Sequence, residues 1–200
     1  AGGEVAFRDK DGKPALKRLM RLLTNFMKGK RAVGHFLVAD LEWLQHEGFD
    51  LLPAFRVPLF DAGGKKAWQR CMLGEGGADT AMMAHAVEET AMLGLEHLSM
   101  RYTTAPRYDI PLHDWRVKRA AELKTEAKAL EGYGECPDEI LVPYACYDSD
   151  VTLRLFFALR PLLDHDYYGQ CAWEAFWESM VIQPTILEIH QNGIKVDKKR

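Results

Sequence analysis

The sequence predicts an α/β fold, and three observations predict it. With 48% hydrophobic residues in a chain of 200, enough apolar surface is present to build a core, which excludes disorder. The apolar run Arg31-Ala-Val-Gly-His-Phe-Leu-Val-Ala-Asp40 is too short for an independent helix and fits a buried strand. Around it, apolar residues recur at helical spacing in several segments.

Taken in order, Glu4–Arg8 reads as a strand running into a turn at Asp11-Gly12. Pro14 suits the first turn of a helix that carries Leu16, Leu19, Met20, Leu23 and Met27 on one face and stops at Gly29. Strand 31–40 then gives way to a helix from Leu41 that Gly48 closes. Residues 50–78, punctuated by Pro53, Pro58 and paired glycines, read as loop. Asp79-Thr80 opens a helix over 81–89, with another over 93–102. The Pro-, Tyr- and Trp-bearing stretch 105–115 reads as loop, and 116–131 as a charged helix. Pro137 and Pro143 bracket a short segment ahead of a long helix from Tyr144 to about Leu163. A last helix, from about Ala172 to Gln191, ends at Asn192-Gly193, and Ile194–Asp197 leaves it extended.

Composition narrows the function. A formal charge of -3 excludes a uniformly basic nucleic-acid coat but leaves local fields open. The stretch Lys13–Arg31 holds seven basic residues and no acidic one, which fits a solvated helix face or a phosphate contact. Cys71, Cys136, Cys146 and Cys171 form no C-x-x-C pair, which excludes a zinc ribbon or a redox motif. Reduced thiols and a cytoplasmic setting are expected. No apolar stretch approaches the roughly 18 residues of a membrane span, and no membrane partner is expected.

Tyr144 and Asp148 stand four apart on a helix and share one face, while Asp150 points away. Val151, Leu155, Phe156 and Leu159 anchor that helix in a core. An acidic side chain beside a buried face needs a partner, either an arginine or a metal ion. Asp40, placed where a strand meets a helix, is a second carboxylate from a distant part of the chain. Two such carboxylates converging on hard oxygen chemistry suit Mg²⁺ or Mn²⁺. His35, His46, His85, His97 and His113 share no ligand spacing and read as surface or capping residues.

Gly34-His35 with Asp40, then Asp79-Thr-Ala-Met-Met, then Leu93-Gly-Leu-Glu-His-Leu98, then Tyr144-Ala-Cys-Tyr-Asp-Ser-Asp-Val-Thr-Leu-Arg-Leu155 follow one another in order. This succession closely resembles the 3′→5′ proofreading exonuclease domain of family A DNA polymerases, the bacterial and phage polymerase I type. The tail, Gln183–Asp197, resembles the segment that joins that domain to the polymerase. The resemblance implies a ribonuclease H-like (DnaQ-like) fold, a mixed sheet flanked by helices. It implies an exonuclease domain over 1–168, with a connecting helix and the start of a polymerase domain over 169–200. By resemblance Asp40 and Asp148 are ligands of two metal ions, Mg²⁺ or Mn²⁺, and Tyr144 orients the attacking water. Asp79 reads as an N-cap.

The implied substrate is the single-stranded 3′ end of primer–template DNA, in a bacterial or phage-infected cell, with a polymerase domain in the same chain. His35 and Phe36, beside the second motif, are candidate DNA contacts. So are Arg107 and Tyr108, in a loop where aromatic and basic side chains together can hold a single strand. Two departures stand out. Phe36 and Ala39 occupy places where relatives usually have asparagine and an aromatic residue. The first motif, an Asp-x-Glu pair on the central strand, is not in these residues, and the resemblance puts it before Ala1. The fold is therefore expected to be incomplete at its N-terminus and the 200 residues alone to be inactive. A degenerate, non-catalytic DNA-binding or bracing module and a ribonuclease D-like exonuclease are the alternatives.

Overall fold

The computed structural model describes residues 16–27, 30–49, 77–126, 132–164, 166–167 and 170–193. The strands expected at Glu4–Arg8 and Ile194–Asp197, and nearly all of the 50–78 loop, lie outside them.

The amphipathic segment after Pro14 forms α1 (Leu16–Met27), with Met20 buried and Leu22 and Phe26 exposed. Two short parallel strands follow, β1 (Val33–Gly34) and β2 (Ala78–Asp79), paired Val33↔Ala78 and Gly34↔Asp79. Each runs straight into a helix: β1 into α2 (Leu37–His46) and β2 into α3 (Thr80–Val87). Then come α4 (Leu95–Tyr102), α5 (Ile110–Glu122), the long α6 (Asp138–Leu159) and a 3₁₀ turn, Arg160–Asp164. An antiparallel pair, β3 (Asp166–Tyr167) and β4 (Gln170–Cys171), leads to α7 (Ala172–Asn192). The described residues thus make a mostly helical α/β fold with one small parallel sheet. No helix among them is long and apolar enough to cross a membrane.

One hydrophobic cluster holds the elements together. It joins Leu37 and Leu41 of α2, Met83 and Ala84 of α3, Leu98 of α4, Leu155 and Leu159 of α6, and Trp173, Phe176, Met180 and Leu187 of α7. Burying a side chain of this size contributes about 1.5–3 kcal/mol. The helix read as a connection, α7, therefore packs its apolar face into the same core as the helices before it.

Four boundaries differ from the sequence reading, each for a physical reason. Strand 31–40 is cut to Val33–Gly34, because Phe36 takes a left-handed conformation (φ 54°, ψ 48°) and turns the chain into α2. Asp40 therefore sits in the first turn of a helix, not at a strand end. The stretch 110–115 is helix, since Pro111 lies in its first turn, where a missing N–H costs nothing. That helix stops at Glu122 because Lys124, at φ 52°, supplies the left-handed cap usually left to glycine; Thr125 N–H donates to Ala120 O and Lys124 N–H to Ala121 O. Finally, α6 starts at Asp138, capped by Pro137, and passes through Pro143. The proline lies on an exposed stretch, so the Glu139 carbonyl it leaves without a donor faces water. Gly48 (φ 82°) and Gly193 (φ 63°) end α2 and α7 where the sequence places the stops.

At the ends of both strands lies Asp79, 1% exposed. Its Oδ1 accepts from Ala81 N–H (2.9 Å) and Phe36 N–H (3.1 Å), and its Oδ2 from Leu37 N–H (2.9 Å). One carboxylate therefore caps its own helix, α3, and the start of α2. Replacing it strands buried donors. We expect Asp79→Ala to lose about 3 kcal/mol or more in urea unfolding. Asp79→Asn, which keeps one oxygen but turns an NH₂ toward an N–H donor, should lose about half of that.

Candidate active site

The backbone around β1 is shaped by close approach. A Cβ at Gly34 would fall 2.0 Å from Leu37 Cδ2 and 2.7 Å from its Cγ, so glycine lets α2 turn back over the strand it leaves. His35 is then locked between two elements. Its Nε2 lies 2.8 Å from Leu93 O and its Nδ1 2.8 Å from Thr80 Oγ1. A carbonyl only accepts, so Nε2 carries the proton and donates; burial lowers the pKa of the ring below its ordinary value and favours the neutral form. The Thr80 hydroxyl donates to Gly34 O at 3.0 Å, and its oxygen is the atom that lies against Nδ1. The residue is half-buried and bridging rather than a surface or capping histidine.

Between β1, α2, α4 and α6 opens a cleft of about 670 Å³. Asp40 reaches it from α2, and Tyr144 and Asp148 from α6; His35, Tyr108 and Glu96 also line it. The three candidate catalytic residues, separated by up to 108 positions in the chain, thus share one wall-to-wall space. Asp150 points away from it and pairs with Arg154 (2.8 Å) on the exposed face of α6. Phe36 is not in this cleft: it lines a second hollow with Ala39, Asp79, Gln183 and His190. Arg107 is exposed and engaged by Asp109 through two bonds, Nε to Oδ1 (2.7 Å) and Nη2 to Oδ2 (2.6 Å).

Two features were not visible in the sequence. Tyr108, singled out only for its ring, is buried and donates its hydroxyl to Asp148 Oδ1 at 2.8 Å. No spacing links residues forty apart. Glu96, in the first turn of α4, adds a third carboxylate to the cleft. It lies inside the Leu93–Leu98 motif, which the sequence offered without assigning Glu96 a role.

The electrostatics run one way. Among the described residues no lysine or arginine lines the cleft. Partial burial, and next the charge of Asp79, raise the pKa of Asp40 above the ordinary carboxyl value, against a smaller lowering by His35. Burial raises the pKa of Tyr144, helped by the charge of Asp148 and a hydrogen bond to it, and burial with the same partner raises that of Tyr108. Both phenols therefore stay protonated and act as donors. The donor set, carboxylate oxygens with an uncompensated negative field, fits a hard divalent cation. Among the described residues no group of three or more His, Cys, Asp or Glu side chains is arranged to hold a metal. Asp40 and Asp148 are the two motif carboxylates that line the cleft.

The family model of the 3′–5′ exonuclease of A-type DNA polymerases matches residues 4–164. The chain belongs to this exonuclease family. No curated protein and no solved structure gave a match. The matched span takes in Gly34-His35, Asp40, Asp79-Thr80, Tyr144 and Asp148, so every motif that lines or supports the cleft lies inside it.

The raised pKa of Asp40 has a sign that can be read in unfolding. Protonated Asp40 is favoured by the folded state, so stability falls as pH rises from the ordinary value of 3.8 through the raised one, and the penalty is constant above it. Asp40→Asn, measured in EDTA, should therefore be more stable than wild type at pH 7. Because Asp40 is exposed as a residue, screening limits the gain to at most about 1 kcal/mol. Below pH 3.8 the two proteins should converge.

Proposed function

We propose that this chain hydrolyses 3′-terminal nucleotides from single-stranded DNA as the proofreading part of an A-type DNA polymerase with a ribonuclease H-like fold. The observation that carries the reading is the meeting of Asp40, Tyr144 and Asp148 in one acidic cleft of an exonuclease-family chain. Water adds to the terminal phosphodiester, the P–O3′ bond breaks, and a 5′-mononucleotide leaves a new 3′-hydroxyl.

Asp40 and Asp148 would hold a divalent cation, Mg²⁺ or Mn²⁺, with further carboxylates completing a two-ion site. When bound, such ions activate water and offset charge on the leaving oxygen. The chain's own residues supply the rest. An acidic cleft without lysine or arginine repels a phosphodiester, so substrate entry is conditional on added positive charge. Tyr144 keeps its proton and donates, which suits orienting a water rather than removing its proton. His35, with both ring nitrogens occupied, shapes the wall and takes no part as a base.

In the full-length protein, Asp148→Ala should lower release of mononucleotides from a labelled single strand by about 10³-fold, several kcal/mol of transition-state stabilisation. Polymerisation should be unchanged. Wild-type digestion by this variant at saturating Mg²⁺ would remove Asp148 from the site. Tyr144→Phe keeps the ring and loses the hydroxyl. Its single-turnover rate should fall about 10²-fold with DNA affinity retained, and an unchanged rate would leave Tyr144 a packing residue. A full-length wild type that folds, binds DNA and cuts in neither Mg²⁺ nor Mn²⁺ would favour a non-catalytic bracing module, the reading to which Phe36 and Ala39 lend support.

A further inference from the structure

We propose that Tyr108 is a positioning residue that fixes the orientation of the Asp148 carboxylate for cation binding. A carboxylate on a helix rotates freely about its last bond, because that torsion is broad and roughly two-fold. A ligand that must present a chosen oxygen therefore needs a second group to hold it. Tyr108 supplies one: its hydroxyl donates to Oδ1 at 2.8 Å, leaving Oδ2 and its lone pairs for a cation.

The phenol is itself held on three sides. Its ring stacks on Tyr147 (centroids 5.5 Å apart, 18° between planes) and lies 5.8 Å from the ring of Tyr144, so two residues from the turn of α6 just before Asp148 flank it. On either side in its own chain, Arg107 and Asp109 close a two-bond pair that stiffens the loop just before α5. Tyr108 is buried while Tyr147 is exposed, so packing holds the Tyr108 ring with its hydroxyl on the cleft side. Tyr144 lines the same cleft one helical turn before Asp148. With Tyr108 holding the carboxylate, the Tyr144 hydroxyl is left to meet a water.

This proposal rests on the exonuclease reading only in taking Asp148 as a cation ligand, and the test separates the two. Full-length wild type, Asp148→Ala and Tyr108→Phe are titrated with Mn²⁺, free ion being counted by electron paramagnetic resonance. Single-turnover cleavage is followed in parallel. Tyr108→Phe keeps the ring and its stacking and removes only the hydroxyl. Its Mn²⁺ dissociation constant should rise about 10- to 100-fold and its kcat should fall to match, while KM for the single strand stays within about twofold. Wild-type Mn²⁺ affinity in Tyr108→Phe, with affinity lost in Asp148→Ala, overturns the positioning role and leaves the cation site standing. Raised KM at unchanged Mn²⁺ affinity overturns it in favour of a stacking contact with DNA. Wild-type Mn²⁺ affinity in Asp148→Ala overturns both. Loss of Mn²⁺ affinity in Tyr108→Phe from a wild type that does not cut DNA supports the positioning role and counts against the exonuclease reading.

Discussion

A single buried carboxylate ties the site to the fold. Asp79 ends one strand, starts one helix, and reaches across the sheet to hold the first two N–H groups of the turn into another. Two helix N-termini, each with a partial positive charge, converge on it, which is why a charge so deeply buried is tolerated. Since α2 leaves β1 at an angle set by this contact, Asp40, three residues into the helix, is aimed by Asp79. The same charge then acts on Asp40 through space and disfavours its ionised form.

The cleft separates carboxylates by what satisfies them. Asp79 is held by three backbone donors and does not line the cleft. Asp148 accepts from the Tyr108 hydroxyl and shares the cleft wall with Tyr144. Asp40 has no hydrogen-bond partner among the described residues, and the charge of Asp79 adds to the cost of ionising it. What surrounds each carboxylate separates a cap from the two that face the cleft, where the bare sequence shows three aspartates.

Much of the fold was legible where the signal is local. The faces of α1 and α7, the stops at Gly48 and Gly193, the cap at Asp79 and the shared face of Tyr144 and Asp148 all follow from spacing within a few residues. What was illegible came from residues doing unusual local work or from distant partners. Phe36 in a left-handed turn ended a strand that its apolar neighbours would have continued. Asparagine adopts this conformation at lower cost than phenylalanine. Lys124 ended a helix without a glycine, and Pro143 failed to end one. The bond from Tyr108 to Asp148 and the double role of Asp79 join residues about forty apart, and no pattern in a single sequence encodes such pairs.

The parallel pairing of β1 with β2 has a consequence for the order of assembly. Val33 meets Ala78 across forty-five residues, and closing a loop of that length costs about 3 kcal/mol of chain entropy before any contact rewards it. Tyr144 and Asp148, one helical turn apart, come into register as soon as α6 forms. Asp40 arrives only when the strands have closed and Asp79 has seized the start of α2. A chain with its helices made and its strands apart would carry half a site. The carboxylates that face the cleft are thereby brought together only by the completed topology.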